Sequence, residues 1–489
     1  ISSLITDGET IYGVGWAYFG AGGTTANFEG QFAADPLTGT FKWINGCRGD
    51  QYGIAAQGDV LYATGHSHDC GMIGFNPEHA TTTEQRGMAF DKRGSATGRY
   101  NAYGPPSVWQ PFAGRPSTDP LHWLPDMSPG SFTGSFQAGY HVAANDNYVV
   151  YGGEFPRVNG VNQQGLVRFA KRTSPPNNTG PPGTFPPPLT ATTPGIVRVA
   201  WTMPHDRDNE RLTAEVLRGT NVNTATVVAT YQVDTNWWTR PPMAFLDTTA
   251  PPGTTQTYRV RVRDAFGNGG ASSAASISVP AGTRPTSAYG NSVRTNGAIH
   301  HWRLDESSGT LARDSVRSND LTLVADAERG VAGGMLNESA AATAFPGTTN
   351  TNTVRGTTNW WQSGPQTFSV EAWFRTTSTQ GGKIIGFGNS ATGRSNSNLT
   401  DRHIYMTNNG QLRFGLRPDY GARQTINSTA SYNDGQWHQV VGTLGSDGAR
   451  LYVDGELVAQ NTNITKAQVY FGYWRVGGYR VTSSPSAPM

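Results

Sequence analysis

The stretch ARLYVDGELVAQ, Ala449–Gln460, reads as two short strands joined by one tight turn. Asp454-Gly455 is a pair that accepts the positive φ of a type I′ turn, whose twist matches that of two antiparallel strands. The same grammar recurs elsewhere. VRVAW puts Val197, Val199 and Trp201 on one face of a strand. YRVRVRD puts Tyr258, Val260 and Val262 on one face and Arg259, Arg261 and Arg263 on the other. No long apolar repeat of period 3.6 appears. Alternation at period two, punctuated by turn residues, predicts antiparallel β-structure throughout, an all-β fold.

Composition agrees. The chain has 489 residues, 61 of them Gly and 30 Pro, and only 15% are charged. Typical globular chains carry about 25% charge, so Ser, Thr, Asn, Gln and Gly must build the surface, as in turn-rich extracellular β-proteins. A net charge of +2 offers no field to draw in nucleic acid. No run approaches the roughly 18–20 apolar residues of a membrane span. The chain opens on ISSLITDGETIYGVG without initiator Met or leader and reads as an interior piece of a longer precursor.

TSPPNNTGPPGTFPPP (173–188) is the clearest boundary, a semi-rigid proline-rich spacer. A softer break follows at 281–296, leaving blocks at 1–172, 189–281 and 290–489. The first block repeats a pattern of turn, β-run, Tyr and Gly in DGETIYGVG, QGDVLYATG and NDNYVVYGG, with Tyr12, Tyr62 and Tyr151 at matching places. Their spacing suits one and then two units of ~45 residues, which predicts three or four β-propeller blades. A closed propeller has 4–8 blades, so the expectation is a partial one lacking N-terminal blades.

The middle block orders Trp201, Tyr258 and RDAFGNGGASS in a way that resembles a fibronectin type III domain, an immunoglobulin-like sandwich. The resemblance implies that Tyr258 is a tyrosine-corner residue, its hydroxyl bonded back to the chain. In the third block, IHHWRLDESSGTLARDSV, FSVEAWFR, GQWHQVVGTL, ARLYVDGELVAQ and YWRVGG follow in an order that resembles the laminin-G-like, concanavalin-A-like jelly rolls. Trp373 and Trp437 are then expected between its sheets. The strand that closes such domains after WRVGG is expected to be absent from this C-terminus. GGEFPRVNGVNQQGLVRFA (152–170) resembles repeat ends of bacterial secreted β-propellers. Together these resemblances imply a bacterial secreted or cell-surface protein.

Cys47 and Cys70 are the only cysteines. Neither has a cysteine at zinc-site spacing, so a disulfide is expected. Such a bridge contributes roughly 3 kcal/mol when unstrained. The alternative in TGHSHDC is a transition-metal site on His66 and His68, which share a face if the segment is a strand. The resemblance of the third block implies calcium, for which Asp314, Asn319 and Asp320 are candidate oxygen ligands. Trp360, Trp361 and Tyr420 are candidate contacts for a glycan.

No catalytic signature is present: the acidic residues of the first block sit at turns, and no nucleophile elbow, zinc-helix or phosphate-loop motif occurs. The expected function is non-catalytic adhesion or carbohydrate recognition outside the cell, with a glycan or cell-surface protein as partner. One alternative is a structural subunit whose propeller and jelly roll are completed by another chain. The other is the non-catalytic portion of a secreted glycoside hydrolase.

Overall fold

The computed structural model describes residues 1–16, 28–78, 82–98, 112, 114–170, 179–182, 186–284, 287–335, 341–346, 354–390, 397, 399–418 and 421–478. Its described residues are almost all strand and turn, with one α-helix, Ala288–Thr295. No helix among them is long and apolar enough to cross a membrane.

Among its described residues the first block is a partial β-propeller of three blades. Each is an antiparallel meander. The first runs Ser3–Thr6, Ile11–Gly15, Gly30–Ala34 and Phe41–Asn45. The second runs Gln51–Gln57, Val60–Ser67, Gln85–Asp91 and Pro120–Leu121. The third holds Gly139–Ala144, Tyr148–Gly153 and Leu166–Ala170. Tyr12, Tyr62 and Tyr151 each fall on their blade's second strand. Among the described residues, the long gap between Tyr62 and Tyr151 holds no additional blade. The second blade carries an insertion between its third and fourth strands, with a small hairpin pairing Ala96–Thr97 with Pro116–Ser117. Blades meet through their first strands: Gln51–Gln57 lies against both Ser3–Thr6 and Gly139–Ala144. The approach is close enough that a Cβ on Gly53 would stand 2.8 Å from the Tyr140 carbonyl oxygen, so only glycine fits there.

Cys47 and Cys70 form a disulfide. It ties the segment entering the second blade to the segment leaving that blade's second strand. Both cysteines lie in a core cluster with Trp43, Ile54, Leu61, Met72 and Phe75.

The middle block is a two-sheet sandwich. One sheet is Leu189–Thr193, Ile196–Thr202 and Pro242–Asp247; the other is Thr226–Asp234, Arg211–Arg218, Thr255–Arg263 and Gly269–Ala271, with Ala275–Ser278 also paired to Thr255–Arg263. Val197, Val199, Trp201, Val260 and Val262 fill its core, as their alternation requires. Tyr258 is fully buried, but its hydroxyl donates to the Asp247 carboxylate (2.8 Å) instead of the backbone. Asp247 also holds Arg218 at 2.8 Å.

The third block is a jelly roll. Nine strands make its large sheet, in which Phe471–Gly478 lies between Val354–Thr358 and Gly382–Gly388. The small sheet is Phe368–Arg375, Trp437–Gly445, Gly448–Val453 and Glu456–Asn461. The last two are joined through Asp454 (φ 51°) and Gly455 (φ 86°), both in the left-handed region that the type I′ turn demands. Leu412, Phe414, Val440, Leu451 and Trp474 pack between the sheets.

The blocks touch directly, so the middle one is more than a spacer. Trp238 is only 8% exposed and packs edge-on against Phe75 of the first block at 4.5 Å. At the other joint, Arg198 leaves the sandwich and is 7% exposed. It donates to the Asp314 (3.0 Å) and Arg317 (3.1 Å) carbonyls and to the Asp320 carboxylate (2.6 Å).

Two substitutions test these joints in thermal unfolding of the full chain. Trp238→Ala should destabilise the first block by about 3 kcal/mol or more, the usual cost of deleting a buried tryptophan. Asp320→Ala strands a buried guanidinium and should cost about 3 kcal/mol. Replacing Arg198 and Asp320 together by Met and Leu should recover much of that loss, because neither charge then remains to be solvated.

Candidate functional site

The strand Phe368–Arg375 sends Val370, Ala372 and Phe374 toward the core. Period two therefore sends Glu371, Trp373 and Arg375 to the outer face. This overturns the expectation that Trp373 and Trp437 fill the space between the sheets. Trp373 is 37% exposed. Trp437 stands opposite Arg375, whose guanidinium lies 5.3 Å from the indole centroid. Phe368, Phe387, Phe414 and Trp474 supply the aromatic filling instead.

Around Trp373 the outer face is organised. The helix Ala288–Thr295, capped by the Ser287 hydroxyl, brings Tyr289 edge-on to the indole, with centroids 6.2 Å apart at 87°. The Trp373 indole N–H donates to the Tyr289 hydroxyl at 2.9 Å. That hydroxyl donates in turn to Glu371 Oε1. The Gln439 amide also donates to Oε1, at 2.7 Å. Burial, reinforced by the carboxylate, pushes the Tyr289 phenol up to about 12, so it stays a donor. Both described bonds to Glu371 reach Oε1, and the residue itself is exposed. The result is an aromatic shelf edged by a carboxylate and an amide, a donor–acceptor set that matches sugar hydroxyls beside a surface that matches sugar C–H faces.

The residues singled out in the sequence lie elsewhere. Asp314 is fully buried and takes His300 Nδ1 at 2.6 Å and the His301 and Val316 amides at 3.0 Å each. Asp320 holds Arg198, and Asn319 Oδ1 accepts the Trp360 amide at 2.9 Å. The structure thus brings Asp314, Asn319 and Asp320 together, with protein donors on each. A calcium ion there would compete with Arg198 and His300. Trp360 is half-buried beside the Arg317 guanidinium (5.7 Å), and Trp361 lies on Phe471 at 4.4 Å. Tyr420 lies outside the described residues.

His66 and His68 do share a face, their rings stacked 6.5 Å apart at 13°. The Asp50 amide donates to His66 Nε2 (3.2 Å), which places the proton on Nδ1, toward Gln137 Oε1 at 3.1 Å. His68 Nδ1 meets Glu78 at 2.8 Å, and Glu78 also faces Arg48. Among the described residues, no group of three or more His, Cys, Asp or Glu is placed to hold a metal ion. A third polar concentration, Lys383, His403 and Arg475 in the large sheet, is buried. Burial, with Arg475 adding to it, pulls the Lys383 ammonium down to about 7.

Comparison with known proteins bears on the block that carries the shelf. Residues 346–487 match the family described as the concanavalin A-like lectin/glucanases superfamily. The jelly roll is a concanavalin A-like domain. In this domain the large sheet also takes in strands before that match, Leu311–Ala312 and Leu321–Leu323. No curated protein matches the chain. Among solved structures, a human fibronectin type III domain is 18% identical over 23% of this chain and 96% of that one, with a TM-score of 0.17. A heptameric SAP-like pentraxin from Limulus polyphemus is 20% identical over 29% and 64%, with a TM-score of 0.21. A Trypanosoma rangeli sialidase is 11% identical over 99% and 88%, with a TM-score of 0.28. The fold assignment rests on strand pairing, not on these loose overlaps.

His438, on the strand next to Trp373, ties the small sheet to its turns. Its Nδ1 is 2.7 Å from Asp454 and its Nε2 3.1 Å from Asp434. Burial opposes the charged ring, but the two carboxylates outweigh it and the folded pKa is raised. The stabilisation is therefore complete below the ordinary histidine value of about 6.5. It is lost as pH rises through the raised value. Urea midpoints of the full chain should fall across that window, and His438→Gln should flatten the fall.

Proposed function

We propose that this protein recognises carbohydrate outside the cell through the outer face of the small sheet of its jelly roll. The carrying observation is Trp373, a tryptophan turned outward and held by Tyr289 beside the exposed Glu371 carboxylate. An exposed indole costs hydrophobic burial that the core would have rewarded, and here its orientation is fixed by a hydrogen-bonded chain. Fixed aromatic and polar groups lose little freedom on binding, which favours affinity. The match to a family described by lectins and glucanases supports the reading. The disulfide supports an extracellular setting, since such bonds persist in oxidising compartments.

The sandwich and propeller arc hold the jelly roll in a fixed attitude through Arg198 and Trp238, which suits an adhesive surface protein. The experiment is a glycan array probed with the full chain and with Trp373→Ala and Glu371→Gln. Hits on the wild type should weaken tenfold or more, about 1.4 kcal/mol, in Trp373→Ala. Glu371→Gln should also weaken them. Melting temperatures measured on the same variants separate loss of the binding surface from loss of the fold. A blank array, or wild-type binding in Trp373→Ala, would overturn the proposal.

A further inference from the structure

We infer that the site takes the interior of an extended, neutral oligosaccharide chain and not a terminal sugar. This deepens the glycan reading and rests on it. The observation is the register of the small sheet. Glu371 stands opposite Val441, Val441 opposite Tyr452, and Tyr452 opposite Leu457. Leu451 and Val453 belong to the core, so Tyr452 between them faces outward; Val440 and Leu444 do the same for Val441.

One side chain per strand thus forms a row running across all four strands, with Trp373 beside its first member and Leu457, 46% exposed, at its far end. A second row, Ser369, Thr443, Arg450 and Gln460, flanks it, with a register shift in the last strand bringing Leu457 and Gln460, three residues apart, to the same face. Strands lie roughly 4.8 Å apart, so each row is on the order of 15 Å long. That is the length of several linked pyranose rings. The inner row offers apolar surface to their C–H faces, and the flanking row offers hydroxyls, an amide and a guanidinium to their edges.

Two further features define the class of ligand. Small-ligand sites are concave and enclose most of what they bind. A row lying across an open sheet encloses no terminus, and its Leu457 end is exposed to solvent. The charges along it are few. In the two rows, among the described residues, Arg450 is the one cation, and it is paired with Asp447 at 2.7 Å, while the Glu371 carboxylate, bonded by the neutral Tyr289 and Gln439, repels a sulfate or uronate.

The test is binding of the full chain to immobilised gluco-, manno-, xylo- and galacto-oligosaccharides, each from the monosaccharide to the hexasaccharide. Sulfated and uronate series are run beside them. Affinity for a neutral series should rise at least tenfold with length and then level off. Tyr452→Ala and Leu457→Asp should weaken the long chains while leaving the short ones unchanged. Equal affinity for the monosaccharide and the hexasaccharide, lost in Trp373→Ala, would overturn the extended-chain inference and leave the glycan reading standing. Preference for the sulfated or uronate series would overturn neutrality. No binding to any series would remove both.

Discussion

A β-strand sends alternate side chains to opposite faces, and each sheet in this chain has a face that must be covered. That constraint arranges the molecule. The three blades cover one another through their first strands, at a distance that Gly53 makes possible. The sandwich covers its own two sheets with Val197, Val199, Val260 and Val262. The jelly roll does the same with Phe414, Val440 and Leu451. Because the period is two, a shift of one residue moves a side chain from core to solvent. Trp373 is outside and Phe374 inside for that reason alone.

The joints between blocks use two kinds of chemistry. Toward the propeller arc an apolar contact, Trp238 on Phe75 within the cluster that contains the disulfide, is flanked by polar ones, His122 to the Asp206 carbonyl and Arg207 to Asp126. Toward the jelly roll the joint is ionic, with Arg198 Nε and one terminal nitrogen reaching two carbonyls and Asp320. A buried charge is tolerable when its donors are satisfied. The jelly roll repeats this within its core. Arg402 is fully buried, has φ of 55°, and lies among the rings of Phe368, Phe387 and Tyr470. It pairs with Asp401 and donates to the Pro365 and Gln468 carbonyls, 2.9 Å each. An unfavourable backbone and a buried charge persist together because each donor has a partner.

The candidate site was partly legible. Glu371 and Arg375 share parity with Trp373 in FSVEAWFR, and two charged residues on one face mark that face as outer. Treating tryptophan as core by its size hid this. Tyr289 and Gln439 left no such mark: one comes from a helix nearly a hundred residues earlier, the other from a neighbouring strand. The acidic stretch around Asp314 looked like a ligand set because carboxylates and amides that bind cations also bind guanidinium and backbone N–H groups. Only the position of Arg198, in another block, showed which donors they meet.

By itself, the sequence determined the local terms. Period-two alternation made the chain all-β, Asp454-Gly455 made a hairpin, and repeated tyrosines marked the second strand of each blade. Two lone cysteines in one block were enough to expect a pair. These are contacts between near neighbours or consequences of backbone sterics, and they survive any arrangement of the rest. Tertiary structure decided what each outer face meets. It set a small hairpin, Ala96–Thr97 with Pro116–Ser117, between the third and fourth strands of the second blade and buried Trp238 in a joint. It set Glu371, Val441, Tyr452 and Leu457 in one row. Those outcomes depend on register between strands far apart in the chain; main-chain hydrogen bonds can form in many registers, and only burial of the core face in the assembled sheet selects one.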